Sequence, residues 1–168
     1  MLGLRLLEFF YGLGRGFYYQ MAGFENGRLQ TAARAIGVMQ AAYEAARQYA
    51  QDRTVFGSPI AEFQLVQAML ADSKTEIYAA RSMTLDAARL ADTGVNIITE
   101  ASCAKLFASE MCSRVADRCV QIHGGAGYMQ EYAIERLFRD VRLFRIFEGT
   151  SQIQQLVIAR NMIRQASR

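Results

Sequence analysis

The sequence predicts an all-α fold, an up-and-down antiparallel four-helix bundle with one additional short helix. Three observations carry that expectation. Proline occurs once and tryptophan never among 168 residues. Hydrophobic residues make up 52% of the chain, drawn mainly from Ala, Leu, Ile and Met, with charges spread between them, a mixture that favours packed helices over sheets. Apolar residues also recur at alternating spacings of three and four, the period of a helix with one inward face. At this length one core is the default, so a single domain is expected.

Taken in order, residues 1–16 read as an irregular lead-in, with aromatics interrupted by Gly3, Gly12, Gly14 and Gly16. Gly12-Leu13-Gly14-Arg15-Gly16 resembles a phosphate loop only superficially, because no strand precedes it and no G-K-[ST] follows. The helical domain is expected over 17–168. Its first helix spans about 17–52 on the stripe Ala32, Ile36, Met39, Tyr43, Ala46 and Ala50. Phe56-Gly57-Ser58-Pro59 stops it, and Pro59, with Ser58 as N-cap, is expected to open a second helix. That helix follows Phe63, Val66, Leu70, Ile77, Ala80, Ala87 and Ala91 to about Asp92, and Thr93-Gly94 ends it. A third helix is predicted over about 96–123, with Ala104, Ala108, Met111, Val115, Cys119 and Ile122 inward. Gly124-Gly125-Ala126-Gly127 breaks the pattern, a short helix follows over about 130–140, and a last one over about 151–165.

Composition excludes several roles. A formal charge of +3, with no block of Lys or Arg, gives no footprint for nucleic acid. Cys103, Cys112 and Cys119 fall on one predicted helix without C-x-x-C spacing, and His123 is the only histidine, so neither a metal site nor a disulfide framework is expected. A reducing, cytoplasmic setting fits those thiols. No apolar run approaches the roughly 20 residues of a membrane span, and the apolar patch of residues 1–10 carries Glu8 and lacks a cleavage site for a leader.

The chemistry concentrates near the C-terminus, in Phe147-Glu148-Gly149-Thr150-Ser151-Gln152-Ile153-Gln154. Phe144, Ile146 and Phe147 flank Glu148, so its carboxylate is expected to be poorly solvated and correspondingly basic. Gly149 allows a sharp turn. Ser151 and Gln154 have capping-box spacing, which predicts a helix start offering free N–H groups to a carbonyl or anion. Taken alone, the stretch is equally an ordinary inter-helix turn. Two further stretches stand out. Arg53 to Gln64 gathers a guanidinium, a ring, a glycine turn and an amide. Gln121 to Tyr128 is a helix end running into glycines. His123 is read as a packed or solvent-facing side chain, and Arg136, Arg139, Arg142 and Arg145 as partners of Glu131, Glu135 and Asp140.

In combination and order these stretches, with Phe24-Glu25-Asn26-Gly27-Arg28 and Arg139-Asp140, resemble the C-terminal helical domain of the acyl-CoA dehydrogenases. The resemblance covers about 16–164. It implies FAD as cofactor, acyl-CoA as substrate, self-association as a dimer or tetramer, and electron-transfer flavoprotein as acceptor. Glu148 matches the family base that removes the α-proton of the thioester while the β-carbon gives a hydride to the flavin. Gly27 stands where some relatives carry the base, which leaves Glu148 in the short- and medium-chain pattern. Glu25, Arg28 and Gly149 match substrate-binding positions. Arg53, Phe56, Gln64, Gln121, Gly124, Gly125, Thr150 and Gln152 match FAD contacts, several of which reach a neighbouring subunit's cofactor in the family. Family members carry an N-terminal helical and a middle β-domain before this region. A non-catalytic oligomerisation or nucleotide-binding module is therefore the alternative, and relatives that oxidise nitroalkanes or hydroxylate aromatics usually lack the glutamate.

Overall fold

A computed structural model describes residues 14–166, so the expected irregular lead-in lies outside the described residues apart from its last three. Five α-helices are described: α1 (Gly16–Asp52), α2 (Gln64–Asp92), α3 (Ile98–His123), α4 (Ala133–Val141) and α5 (Ser151–Ala166). Short 3-10 turns cover Ile60–Glu62, Gly124–Tyr128 and Arg142–Arg145. The all-α expectation holds.

Contacts between helices give their directions. The Cys112 thiol donates to Ala35 O at 3.4 Å, and further along both helices the Tyr49 and His123 rings stack with centroids 4.3 Å apart. Thus α1 and α3 run parallel, which the intervening α2 makes possible by returning between them. On the other side Ser151 meets Glu110 and Asn161 meets Thr99, so α5 runs antiparallel to α3. The four long helices alternate in direction, and α4 is the additional short one.

The core explains why α3 is so rich in small residues. It packs against α1, α2, α4 and α5, and it buries Ala101, Ala104, Ala108, Cys112, Val115, Ala116, Cys119 and Ile122. Small side chains let several neighbours approach one helix, while their many contacts supply dispersion and burial at about 25 cal/mol per Å² of apolar surface. The buried hydroxyls of Ser102 and Ser109 bond to Ile98 O and Leu106 O within the helix, so they leave no unpaired polar group. Of the predicted inward stripe, only Met111 is partly exposed. On α1 the buried set is Ala32, Ala35, Met39, Ala42, Ala46 and Ala50, with Ile36 and Tyr43 half-buried. A bidentate pair from Arg118 to Glu76, at 2.6 and 3.0 Å, ties α3 to α2. Among the described residues no helix is long and apolar enough to cross a membrane.

Two expected boundaries are corrected. Pro59 does not open the second helix. Ser58–Pro59 pair antiparallel with Thr54–Val55 in a two-residue hairpin, whose turn places both Phe56 (φ 53°) and Gly57 (φ 87°) in the left-handed region, as a type I′ turn demands. The φ of Pro59, −55°, also suits an edge strand, and its ψ of 140° keeps it extended. Helix α2 starts only at Gln64. The short helix begins at Ala133 rather than near Gln130, because Met129 and Tyr132 N–H groups close successive turns onto Ala126 O and Met129 O.

Candidate functional site

The Glu148 turn is built by backbone geometry first. After the 3-10 turn, Phe147 N–H closes onto Leu143 O at 3.2 Å. Glu148 (φ 55°) and Gly149 (φ 86°) then both adopt the left-handed region and redirect the chain into α5. For a non-glycine residue that conformation costs about 1 kcal/mol and persists only where surroundings hold it. Here they do. Gln154, fully buried, donates from Nε2 to Glu148 O (3.0 Å) and Gly149 O (3.1 Å), and Lys105 Nζ donates to Gly149 O at 2.7 Å. Both carbonyls are therefore drawn inward, while the Glu148 N–H has no hydrogen-bond partner among the described residues.

The predicted capping box does not form. Thr150, one residue earlier, caps α5 by accepting from Ile153 N–H at 3.3 Å. Ser151 instead donates to Glu110 Oε1 at 2.5 Å, an oxygen that also accepts from Arg145 Nε at 2.9 Å. A distant carboxylate thus claims Ser151, and the carbonyls of the preceding turn claim Gln154, the two side chains that sequence spacing assigned to a cap.

The Glu148 carboxylate lies against α1. A Cβ placed on Gly27 would sit 2.6 Å from Glu148 Oε2, so the absence of a side chain at Gly27 makes room for the carboxylate. One residue on, Arg28 is 7% exposed and its Nε has no hydrogen-bond partner. Burial lowers its pKa, opposed by the charges of Glu25 and Glu148. Lys105 is 0% exposed; burial pushes its ammonium down to about 8, against the pull of Glu110 and Glu148. A half-buried carboxylate, two buried cations and a free N–H therefore share one corner, with Glu25 half-buried beside them. Such a corner can accept a proton and polarise a carbonyl.

A second cluster forms at the far end of α1. A cavity of about 460 Å³ is lined by Tyr49, Arg53, Ile60, His123, Gly124, Gly125 and Tyr132, among others. His123 Nδ1–H donates to Cys119 O at 2.7 Å, and its ring stacks on Tyr49 and meets Tyr132 edge-on. It is 6% exposed, and burial lowers its pKa despite the Cys119 carbonyl. The glycines here divide by role. A Cβ on Gly127 would meet Val120 O at 2.6 Å, so that position is fixed by packing, whereas a Cβ on Gly125 would meet nothing within 4 Å. The protein's own atoms do not demand glycine there, and the space opens toward an approaching ligand. From Gly27 to Tyr49 along α1, at 1.5 Å per residue, the two clusters stand about 33 Å apart.

Residues 14–163 match the family model described as acyl-CoA dehydrogenase, C-terminal domain. The chain belongs to this family. It is 49% identical over 150 residues to the probable acyl-CoA dehydrogenase YngJ of Bacillus subtilis, covering 89% of this chain and 40% of that protein. It is 46% identical over 147 residues to the CarC subunit of the caffeyl-CoA reductase–Etf complex of Acetobacterium woodii, covering 88% of this chain and 39% of that one. Its fold matches the acyl-CoA dehydrogenase from Geobacillus kaustophilus with a TM-score of 0.87 at 39% identity, over 89% of this chain and 39% of that one. The chain thus spans about two fifths of the length of these relatives.

Within this acyl-CoA dehydrogenase domain the expected site residues separate into two groups. Glu25, Arg28, Glu148 and Gly149 gather at one end, with Thr150 half-buried and Gln152 exposed on the following turn. Arg53, Gly124 and Gly125 share the distant cavity. Gln64 and Gln121 are exposed, and Phe56, on the hairpin after Arg53, is 96% exposed while held at positive φ. The arginine series is corrected in part. Arg139 pairs with Glu135 through Nε–Oε1 and through Nη2–Oε2 at 3.2 Å, but Arg145 turns to Glu110 on α3, and Glu131 forms no ion pair among the described residues. Sequence reasoning missed Lys105 and gave Gln154 a capping role in place of its bonds to the Glu148 and Gly149 carbonyls. A signal for Lys105 was present, since it interrupts the inward stripe between Ala101 and Ala108.

Proposed function

We propose that this chain supplies the C-terminal helical part of an FAD-dependent acyl-CoA dehydrogenase, with Glu148 as the base that removes the α-proton of an acyl-CoA thioester. One observation carries the reading: the Glu148 carboxylate rests in the space left by Gly27 while the N–H of the same residue stays unpaired. A thioester carbonyl accepting from that N–H gains polarisation, its α-proton becomes more acidic, and the nearby carboxylate takes it. Arg28 and Lys105 surround the carboxylate with positive charge, and Gly149 keeps the turn close to the substrate.

The residues of the far cavity fit a dinucleotide. Arg53 offers a guanidinium for a diphosphate, Tyr49, His123 and Tyr132 offer a stacked aromatic wall, and Gly125 leaves open space. FAD, when bound, accepts the hydride leaving the β-carbon as the new double bond forms. Thr150 and Gln152 would contact the flavin that serves Glu148 of the same chain. Arg53, Phe56, Gln64, Gln121, Gly124 and Gly125 would hold the cofactor of a second copy, a division supported by the separation of about 33 Å along α1. Exposed apolar side chains on the outer faces, among them Leu65, Tyr78, Leu85 and Leu156, support self-association. The name of the CarC relative supports electron-transfer flavoprotein as the acceptor.

The test is spectroscopic. The flavin-loaded protein should be yellow, bleach on addition of acyl-CoA, and exchange the substrate α-proton with solvent. Glu148→Gln should keep the flavin and lose exchange by about 10²-fold or more. Retained exchange removes Glu148 as the base, and a colourless oligomer without flavin uptake marks a non-catalytic helical module instead.

A further inference from the structure

We propose that Lys105 is the positioning residue of the Glu148 turn: its buried ammonium fixes the Gly149 carbonyl inward and so holds Glu148 in the left-handed conformation that aims its carboxylate and its N–H. The inference rests on the reading of Glu148 as a base. Lys105 comes from the middle of the domain, 44 residues before Gly149, and reaches that carbonyl at 2.7 Å from a position with no solvent exposure. Turns of this kind are ordinarily held by local bonds, and Gln154 alone already bridges both carbonyls. A neutral amide, however, is a weaker donor than an ammonium, whose charge-assisted bond is about twice as strong. Isolated burial of a lysine is also costly. It is offset in part by Glu110 on its own helix and Glu148 on the turn, while Arg28 on α1 opposes them. Arg145 bonds the same Glu110 and keeps it in place. An aliphatic residue would fill this space at lower cost, so the lysine is explained by what its ammonium holds.

The same geometry supplies a titration. Burial brings Lys105 down to about 8, so the donor loses its charge in mildly alkaline solution and the turn loses its strongest anchor. This limb belongs to Lys105 and should vanish when Lys105 is replaced.

Gly149-Thr150 is the only Gly-Thr dipeptide in the sequence. The full chain labelled with carbonyl-¹³C glycine and ¹⁵N threonine therefore gives one NMR correlation that reports the Gly149 carbonyl. In the wild-type chain the carbonyl carbon should move upfield with a midpoint near pH 8, following the ammonium. Lys105→Met should place it upfield at every pH with no titration, and Lys105→Arg should restore a downfield position without the midpoint. In the flavin-loaded protein Lys105→Met should slow α-proton exchange about 10- to 100-fold, as expected for a misplaced base, with Lys105→Arg recovering part of the rate. A Gly149 resonance that neither titrates in wild type nor differs in Lys105→Met overturns the proposal. So does an unchanged exchange rate in a variant whose turn has moved. If Lys105→Met does not fold, the wild-type titration and Lys105→Arg still decide. Absence of exchange in the wild type overturns the dehydrogenase reading while the NMR result stands separately.

Discussion

Replacing Gly27 by alanine should move stability and catalysis in opposite directions. The added Cβ would lie 2.6 Å from Glu148 Oε2 and 3.2 Å from its Cδ. Ordinary contacts begin at 3.4 Å, so the carboxylate must retreat by roughly 0.8 Å. It sits at the end of a flexible side chain, and the retreat costs little folding free energy. Gly27 also lies inside α1, where exchanging glycine for alanine gains about 1 kcal/mol by restricting the unfolded chain and favouring helix. Stability should therefore stay level or rise by up to about 1 kcal/mol. The Glu148 carboxylate, by contrast, is displaced by close to 1 Å, a shift of the size that costs a proposed base up to about 10²-fold in rate. Denaturant unfolding read by circular dichroism gives the first quantity, and deuterium exchange at the acyl α-carbon in the flavin-loaded protein gives the second. A loss of more than about 1 kcal/mol would show that α1 cannot yield at this point, contrary to the steric argument. An unchanged exchange rate would place the working carboxylate elsewhere.

Gly149→Ala should be far less tolerated. Its Cβ meets the buried Gln154 Nε2 at 2.5 Å at a φ of 86°, so strain of about 1 kcal/mol adds to the loss of buried hydrogen bonds worth about 1–3 kcal/mol; a drop below about 1 kcal/mol in urea unfolding contradicts this. Stability should also carry a Lys105 signature in alkali. Between about pH 8, the folded value, and 10.5, the ordinary one, the unfolded chain keeps a proton that the folded chain has released. Stability contributed by this group therefore rises with pH across that window, by about 3 kcal/mol at most. Cys112 and Cys119, pushed up to about 12 by burial, act oppositely above pH 9, so the quantity to measure is the wild-type stability minus that of Lys105→Met. A flat difference from pH 7 to 10.5 refutes it.

The bundle was legible because alanine and methionine stripes with helical spacing are local signals, and the inward faces of α1 and α3 follow them almost residue by residue. The hairpin after α1 was not. Ser58-Pro59 is a sound helix start in isolation, and only Phe56 and Gly57 turning left-handed together reveal a strand pair. Ser151 and Gln154 show the same competition at α5, where a local pattern yields to Glu110 and to the carbonyls of the turn. Glu148 could be singled out from its neighbours and its spacing to other blocks. The residues that hold it were less legible, because Lys105 reaches Gly149 from 44 residues away, marked only by interrupting an inward stripe, and the local pattern around Gln154 pointed to a cap rather than to the carbonyls of the turn.

The position of α3 makes it a ruler. Lys105 anchors the Glu148 turn at one end and His123 walls the aromatic cavity at the other, 18 residues later on one uninterrupted helix. Deleting a single residue between them would rotate one end by about 100° and shorten the span by about 1.5 Å. Point substitutions at the exposed positions of this stretch, such as Arg114 and Asp117, can be absorbed by side-chain adjustment, but a change of length cannot, since it misaligns the Glu148 corner against the aromatic cavity. The exposed face between Lys105 and His123 should therefore tolerate altered chemistry far better than the segment tolerates altered length.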